Sequence, residues 1–148
     1  MTIASIITFF VWATLGHIFA ATVLYFNHRL VFHGTLGRLP LLKRIRKLHT
    51  IHHRDAFSEN VAASMETPVW GKIALAGSFL FFEFIVAPGF GFGMLTFAGV
   101  YATRHRASHS GDTSHFALHH LHHHRKANVN FAGVYPAFDK VFGTHEDY

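Results

Sequence analysis

Formal charge avoids two long stretches of this 148-residue chain. Residues 1–28 contain no Lys, Arg, Asp or Glu, and residues 73–103 contain only Glu83. All thirteen Lys and Arg fall in 29–72 and 104–148. A basic surface divided this way is no continuous nucleic-acid footprint. Basic segments alternating with uncharged apolar ones are the pattern of membrane spans and their loops. Only 14% of residues are charged, against about 25% in soluble domains. That excludes a disordered tail or a highly charged solvated bundle. Cys is absent, which removes disulfides, Cys zinc sites and Cys-ligated iron–sulfur clusters.

The first apolar block covers 3–26, and a span needs about 20 residues. A signal peptide would bring a basic n-region and a small-residue cleavage site, yet the start Met-Thr-Ile-Ala-Ser carries no positive charge. The second block, 69–103, is interrupted by Pro88-Gly89-Phe90-Gly91-Phe92-Gly93. Pro and clustered Gly break helices. This predicts a hairpin with legs over about 69–87 and 91–103, the second leg short, with re-entrant legs as the alternative. One span followed by a two-leg hairpin leaves 27–68 and 104–148 on the same side. Those segments hold every Lys and Arg except Lys72, so the positive-inside rule makes that side cytoplasmic and the N-terminus external. The expected fold is all-α: a single integral-membrane domain over 1–148. It has about three transmembrane or membrane-embedded helices and a cytoplasmic helical cap.

Fourteen of the fifteen His, all but His17, lie on that cap side. They form an HxxxxH (His28, His33), an HxxHH (His49, His52, His53), an HxxxH (His105, His109) and a dense run from His115 to His124. The box regions are thus 28–53 and 105–124. Residues at i, i+3 and i+4 share one helical face, so His49, His52 and His53 converge, as do His105 and His109. On a helical wheel over 41–54, Leu41, Leu42, Ile45 and Leu48 fill one arc with these His at its edge. Lys43, Arg44, Arg46, Lys47 and Arg54 take the opposite arc. His28 and His33 are five apart, about 500° of α-helical turn, so they meet only where the helix ends or bulges. In the dense run both His119, His122, His123 and His120, His123, His124 satisfy HxxHH, and geometry alone does not choose.

Clustered imidazoles repel if protonated and need partners if buried, and a metal ion meets both demands. Ten or so imidazoles suffice for two metals at about five nitrogens each. Imidazole suits zinc, copper, iron and nickel alike. The bland alternative for the run is a low-complexity metal-sequestering tract. Four spaced groups on one membrane side argue against it.

The order HxxxxH, HxxHH, HxxxH, HxxHH resembles the fatty acid hydroxylase / sterol desaturase superfamily of integral-membrane di-iron oxygenases. The tail strengthens the resemblance. Asn128-Val129-Asn130-Phe131 is similar to that family's NxN(Y/F)G-like element, and Pro136-Ala137-Phe138-Asp139-Lys140-Val141-Phe142-Gly143-Thr144 to its WDxLFGT-like element. Here the tail reads Asn-Phe-Ala-Gly, one residue longer, and Phe138 stands for the usual Trp. The resemblance covers about 28–145, and its tail spacing selects His120, His123 and His124. It implies two irons (zinc in purified protein is an alternative) on His28, His33, His49, His52, His53, His105, His109, His120, His123 and His124. It implies O2 as co-substrate and hydroxylation of a C–H bond in a fatty acyl, sterol, hopanoid or carotenoid lipid taken from the bilayer. Desaturation at the same centre is the near alternative. No fused electron-transfer module is recognisable, so the expected donor is an external ferredoxin, cytochrome b5 or reductase. The basic residues 43–47 suit an acidic donor or anionic membrane lipid. A non-enzymatic metal-binding or transport protein would instead place metal groups along the spans, where only His17 lies. A membrane b-type cytochrome would place paired His at span depth.

Several polar residues fall outside that ligand set. His17 sits about 16 Å of helical rise from His28, which suits a structural hydrogen bond or a substrate-lining role. Glu83 is expected to reach the external interface near the hairpin turn. His115, His119, His122 and His145 are surplus, with Asp112, Asn128 and Asp139 as candidate acceptors for orienting imidazoles; Asp139 is also a candidate helix cap.

Overall fold

The structure is a computed structural model that describes residues 2–148. Among the described residues it is helical with no strands. The α-helices are α1 (Ile3–Phe26), α2 (Lys43–Asp55), α3 (Val61–Ser64), α4 (Val69–Phe81), α5 (Phe90–Ser108), α6 (His115–Arg125) and α7 (Ala137–Val141). Two π-helical segments, Asn27–Phe32 and Phe82–Val86, extend α1 and α4, and a 3-10 turn covers Leu36–Arg38. The chain divides into two compact units: 1–21 with 67–100, and 22–66 with 101–148.

The first unit is apolar outside as well as inside. Ile3, Phe10, Ile73, Phe84 and Ile85 are all more than half exposed. Two helical stretches, Ile3–Phe32 and Val69–Val86, are long and apolar enough to cross a membrane, and only 6% and 0% of their most apolar windows are buried within the protein. The core helix of a soluble protein would be mostly buried, so these surfaces suit lipid. The expected break at Pro88 is present: Ala87 is extended, and α5 begins at Phe90. α5 runs on to Ser108, beyond the expected second leg, and does not count among the two span-like stretches.

Glycines let three helices meet closely in this unit. A Cβ at Gly16 would lie 2.0 Å from the Phe90 carbonyl oxygen, and one at Gly93 1.9 Å from that of Ala13. On the opposite side of α5, a Cβ at Gly91 would lie 2.2 Å from the Phe79 carbonyl oxygen. Small residues permit such backbone approach between apolar helices. Ala87, Phe90 and Met94 fill the resulting core, with Trp12, Ala20, Phe79 and Phe82 against them. Glu83 is part-exposed and lies against the hairpin turn. Its carboxylate accepts from the Gly89 and Phe92 amides at 2.9 and 3.0 Å, which caps the exposed N–H groups at the start of α5.

The second unit is built on Tyr25, which is 1% exposed. Its ring stacks on Phe138 and Phe142 at 5.9 and 5.0 Å and meets Phe131 edge-on at 6.4 Å. The aromatic packing brings α7 and the segment before it onto the last turn of α1. The apolar arc expected over 41–48 is only partly used. α2 begins at Lys43, leaving Leu41 outside the helix and 92% exposed, and Leu48 is 37% exposed.

Gly16→Val should lower the thermal unfolding midpoint in detergent by several degrees or prevent folding, because the added atoms meet a backbone carbonyl. Gly77→Ala, where a Cβ meets nothing within 4 Å, should leave the midpoint unchanged or raise it.

Candidate metal centre

The ten histidines of the four boxes come together in the second unit as two groups of five. One holds His28, His33, His49, His53 and His123; the other holds His52, His105, His109, His120 and His124. Within each group the candidate ligand nitrogens all lie within 4.8 Å of one another.

Helical geometry explains the partition. In α2, His49 and His53 are one turn apart and enter the first group, while His52 turns to the second. In α6 the arrangement is reversed: His120 and His124 enter the second group and His123 the first. The HxxxH of α5 supplies His105 and His109 to the second group. Each group therefore takes one pair from an HxxxH or HxxxxH box, one i, i+4 pair from an HxxHH box, and a single His from the other HxxHH box. His28 and His33 meet because the chain between them is a π-helix, closed by an i to i+5 bond from the His33 amide to the His28 carbonyl at 3.1 Å. Their rings are 5.1 Å apart.

The ring nitrogens face one another. In the first group, His49 Nε2 lies 2.8 Å from His33 Nε2 and 3.2 Å from His28 Nε2. His123 Nε2 lies 3.1 Å from both His33 Nε2 and His53 Nε2. In the second, His52 Nε2 is 3.0 Å from His105 Nε2, and His120 Nε2 is 3.1 and 2.9 Å from His109 and His124 Nε2. Several of these nitrogens carry no proton. His28 Nδ1 donates to the Phe131 carbonyl at 2.6 Å, and His123 Nδ1 to that of Val129 at 2.7 Å. His109 Nδ1 donates to the Ala56 carbonyl at 3.1 Å. Ser64 gives its hydroxyl proton to the Val61 carbonyl at 2.7 Å and so accepts from His52 Nδ1 at 3.2 Å. In a neutral imidazole a protonated Nδ1 leaves Nε2 as a bare lone pair.

Such a donor set fits a cation. Two nitrogens bound to one ion at about 2.1 Å and at right angles lie about 3 Å apart, the spacing found here. An acceptor on the far nitrogen of a ligating His is the usual support. The groups adjoin: His53 and His124, one from each, have ring centroids 4.3 Å apart.

Burial, with Arg46 nearby, pushes His33 down to about 4. Burial and neighbouring imidazoles push His52 to about 4, and His53 and His123 to about 3. His49, His105, His120 and His124 are lowered for the same reasons, and His109 by burial. Lone pairs are thus available at neutral pH.

The remaining expected polar residues have other partners. His17 Nδ1 donates to the Thr96 hydroxyl at 3.0 Å, since that hydroxyl gives its own proton to the Gly93 carbonyl at 2.7 Å. His119 meets the buried Asp139 at 3.0 Å, and His122 meets Glu146 at 3.0 Å. His145 Nε2 lies 3.2 Å from Asp147. The carbonyl of His115 accepts from the Tyr148 hydroxyl at 2.6 Å. Asp112 turns to Ser114, the N-cap of α6, accepting from its amide and hydroxyl at 2.9 and 2.8 Å. Asp139 orients no ligand directly. It accepts from the Phe131 and Ala132 amides at 2.8 and 2.9 Å and from Thr144 at 2.7 Å. The groups that touch box imidazoles, the carbonyls of Ala56, Val129 and Phe131 and the hydroxyl of Ser64, were not singled out by sequence. The Asn128-Val129-Asn130-Phe131 element was the one available signal for two of them.

Depressed histidine values set the direction of the acid response of the metal-free protein. The unfolded chain, with values near 6.5, takes up protons before the folded one. This contribution to stability is complete above pH 6.5 and is lost as pH falls towards 3 to 4. The thermal midpoint of metal-free protein should fall steeply between about pH 6.5 and pH 5.

A family model of fatty acid hydroxylases matches residues 13–144, nearly the whole chain. Searches of curated proteins and of solved structures gave no match. Two apolar helices and a membrane-enzyme family together indicate membrane association. With its boxes converging as two groups able to hold metal, the chain belongs to the fatty acid hydroxylase family.

Proposed function

We propose that this protein hydroxylates a C–H bond of a membrane lipid at a centre of two irons. The first would be held by His28, His33, His49, His53 and His123, the second by His52, His105, His109, His120 and His124. The observation that carries the reading is the division of ten box histidines into two adjoining groups of five inward-facing nitrogens. Family membership makes iron the expected metal. When bound, iron supplies activation of dioxygen, with one oxygen atom entering the substrate and the other leaving as water.

The chain's own part is orientation and shielding. The carbonyls of Val129 and Phe131 fix the tautomers of His123 and His28, and Ala56 and Ser64 do so for His109 and His52. Phe131 is 5% exposed and packs within 5.8 Å of the rings of His28, His33 and His123, which keeps water from that side of the first group. In sequence, His28 follows the first apolar helix almost directly, and His105 closely follows the second apolar block. That connectivity suits a substrate arriving from the bilayer. The positive-inside rule places the histidine boxes on the cytoplasmic side, where a soluble or membrane-bound reductant supplies electrons. The exposed Lys43, Arg44 and Lys47 favour an acidic donor.

Lipid mass spectrometry after expression with a working donor tests this reading. Wild type should yield a lipid with one added oxygen, and His123→Ala should lower it by at least about 100-fold. Loss of two hydrogens would make the protein a desaturase. Identical lipid profiles with wild type and variant would refute oxygenase activity.

A further inference from the structure

The two groups of histidines are held by different parts of the chain. The carbonyls that orient the first group come from the C-terminal segment: Phe131 for His28 and Val129 for His123. The acceptors on the second come from the segment after α2: Ala56 for His109 and Ser64 for His52. The C-terminal segment has its own anchor. Asp139 is fully buried and receives four hydrogen bonds, from the Phe131 and Ala132 amides, the Thr144 hydroxyl and His119. Between the two carbonyls, Asn130 takes a left-handed φ of 55°. Its side chain bonds the Glu146 backbone on both N–H and C=O, at 2.9 Å each. The route from Asp139 to a ligand is short: carboxylate to the Phe131 amide, then the Phe131 carbonyl to His28 Nδ1.

We propose that Asp139 is a positioning residue for the first site alone, and that the two metal sites are supported independently. This rests on the metal-centre reading above. A carboxylate there presents only acceptors. An Asn must turn its NH2 towards two of the four donors, releasing either Phe131 and Thr144 or Ala132 and His119. The loop carrying Val129 and Phe131 then loosens, and with it His28 and His123. The four donors to Asp139 include neither Ala56 nor Ser64.

Cobalt(II) titration of metal-stripped, full-length protein in detergent tests this, with circular dichroism as the folding control. Wild type should show two tight sites. Asp139→Asn should keep one and weaken the other by about 10–100-fold. Combined with His33→Ala it should add little, because both act on the first site; combined with His105→Ala it should leave no tight site. Ser64→Ala should show the opposite pairing. Should Asp139→Asn fail to fold, Thr144→Val, which removes one of the four donors, is read in the same way. Equal weakening of both sites, weakening only of the site containing His105, or no change in a folded variant would overturn the proposal. Fewer than two sites in wild type would instead overturn the two-metal reading on which it rests.

Discussion

Imidazole lone pairs aimed at a common point repel one another unless a cation lies among them. Two such points shape the second unit. Burial holds these histidines neutral, and backbone carbonyls and one serine hold protons on their outer nitrogens. Both effects leave inner nitrogens bare at separations of about 3 Å. Without a cation the arrangement costs desolvation and repulsion together. The surrounding structure is explained by what must be done to keep it: a π-helix that brings His28 round to His33, paired HxxHH helices that each serve both groups, and a buried carboxylate beneath the loop that orients His28 and His123.

The exchange between α2 and α6 has a chemical consequence. Each helix contributes two histidines to one group and one to the other, so neither group forms without both helices. His53 and His124 sit side by side across the boundary. A pair of metals held this way shares its walls, while the acceptors behind each ligand set come from separate segments. The shared helices hold the two groups of imidazoles side by side.

Much of this was legible in the sequence wherever it depends on local periodicity. The convergence of His49 with His53 and of His105 with His109 follows from helical spacing alone. The five-residue interval from His28 to His33 demanded a bulge or helix end, and a π-helix meets the demand. Charge segregation marked both apolar stretches. What depends on tertiary placement was not legible. Spacing on one helix gives no reason for His52 to leave His49 and His53, because the partner helices decide that. Nor does the sequence say what Glu83 bonds: its partners are the open N–H groups at the start of α5. Asp139 was singled out as an acceptor, but it holds backbone amides and a surplus histidine in place of a ligand. The acceptors on the ligands are mostly main-chain carbonyls, which every residue has and no sequence pattern distinguishes.

Anomalous X-ray scattering at the iron edge, from iron-loaded protein, tests the central claim most directly. It should give two peaks per chain, one inside each five-histidine group. A single peak, or iron sited away from these rings, would contradict it.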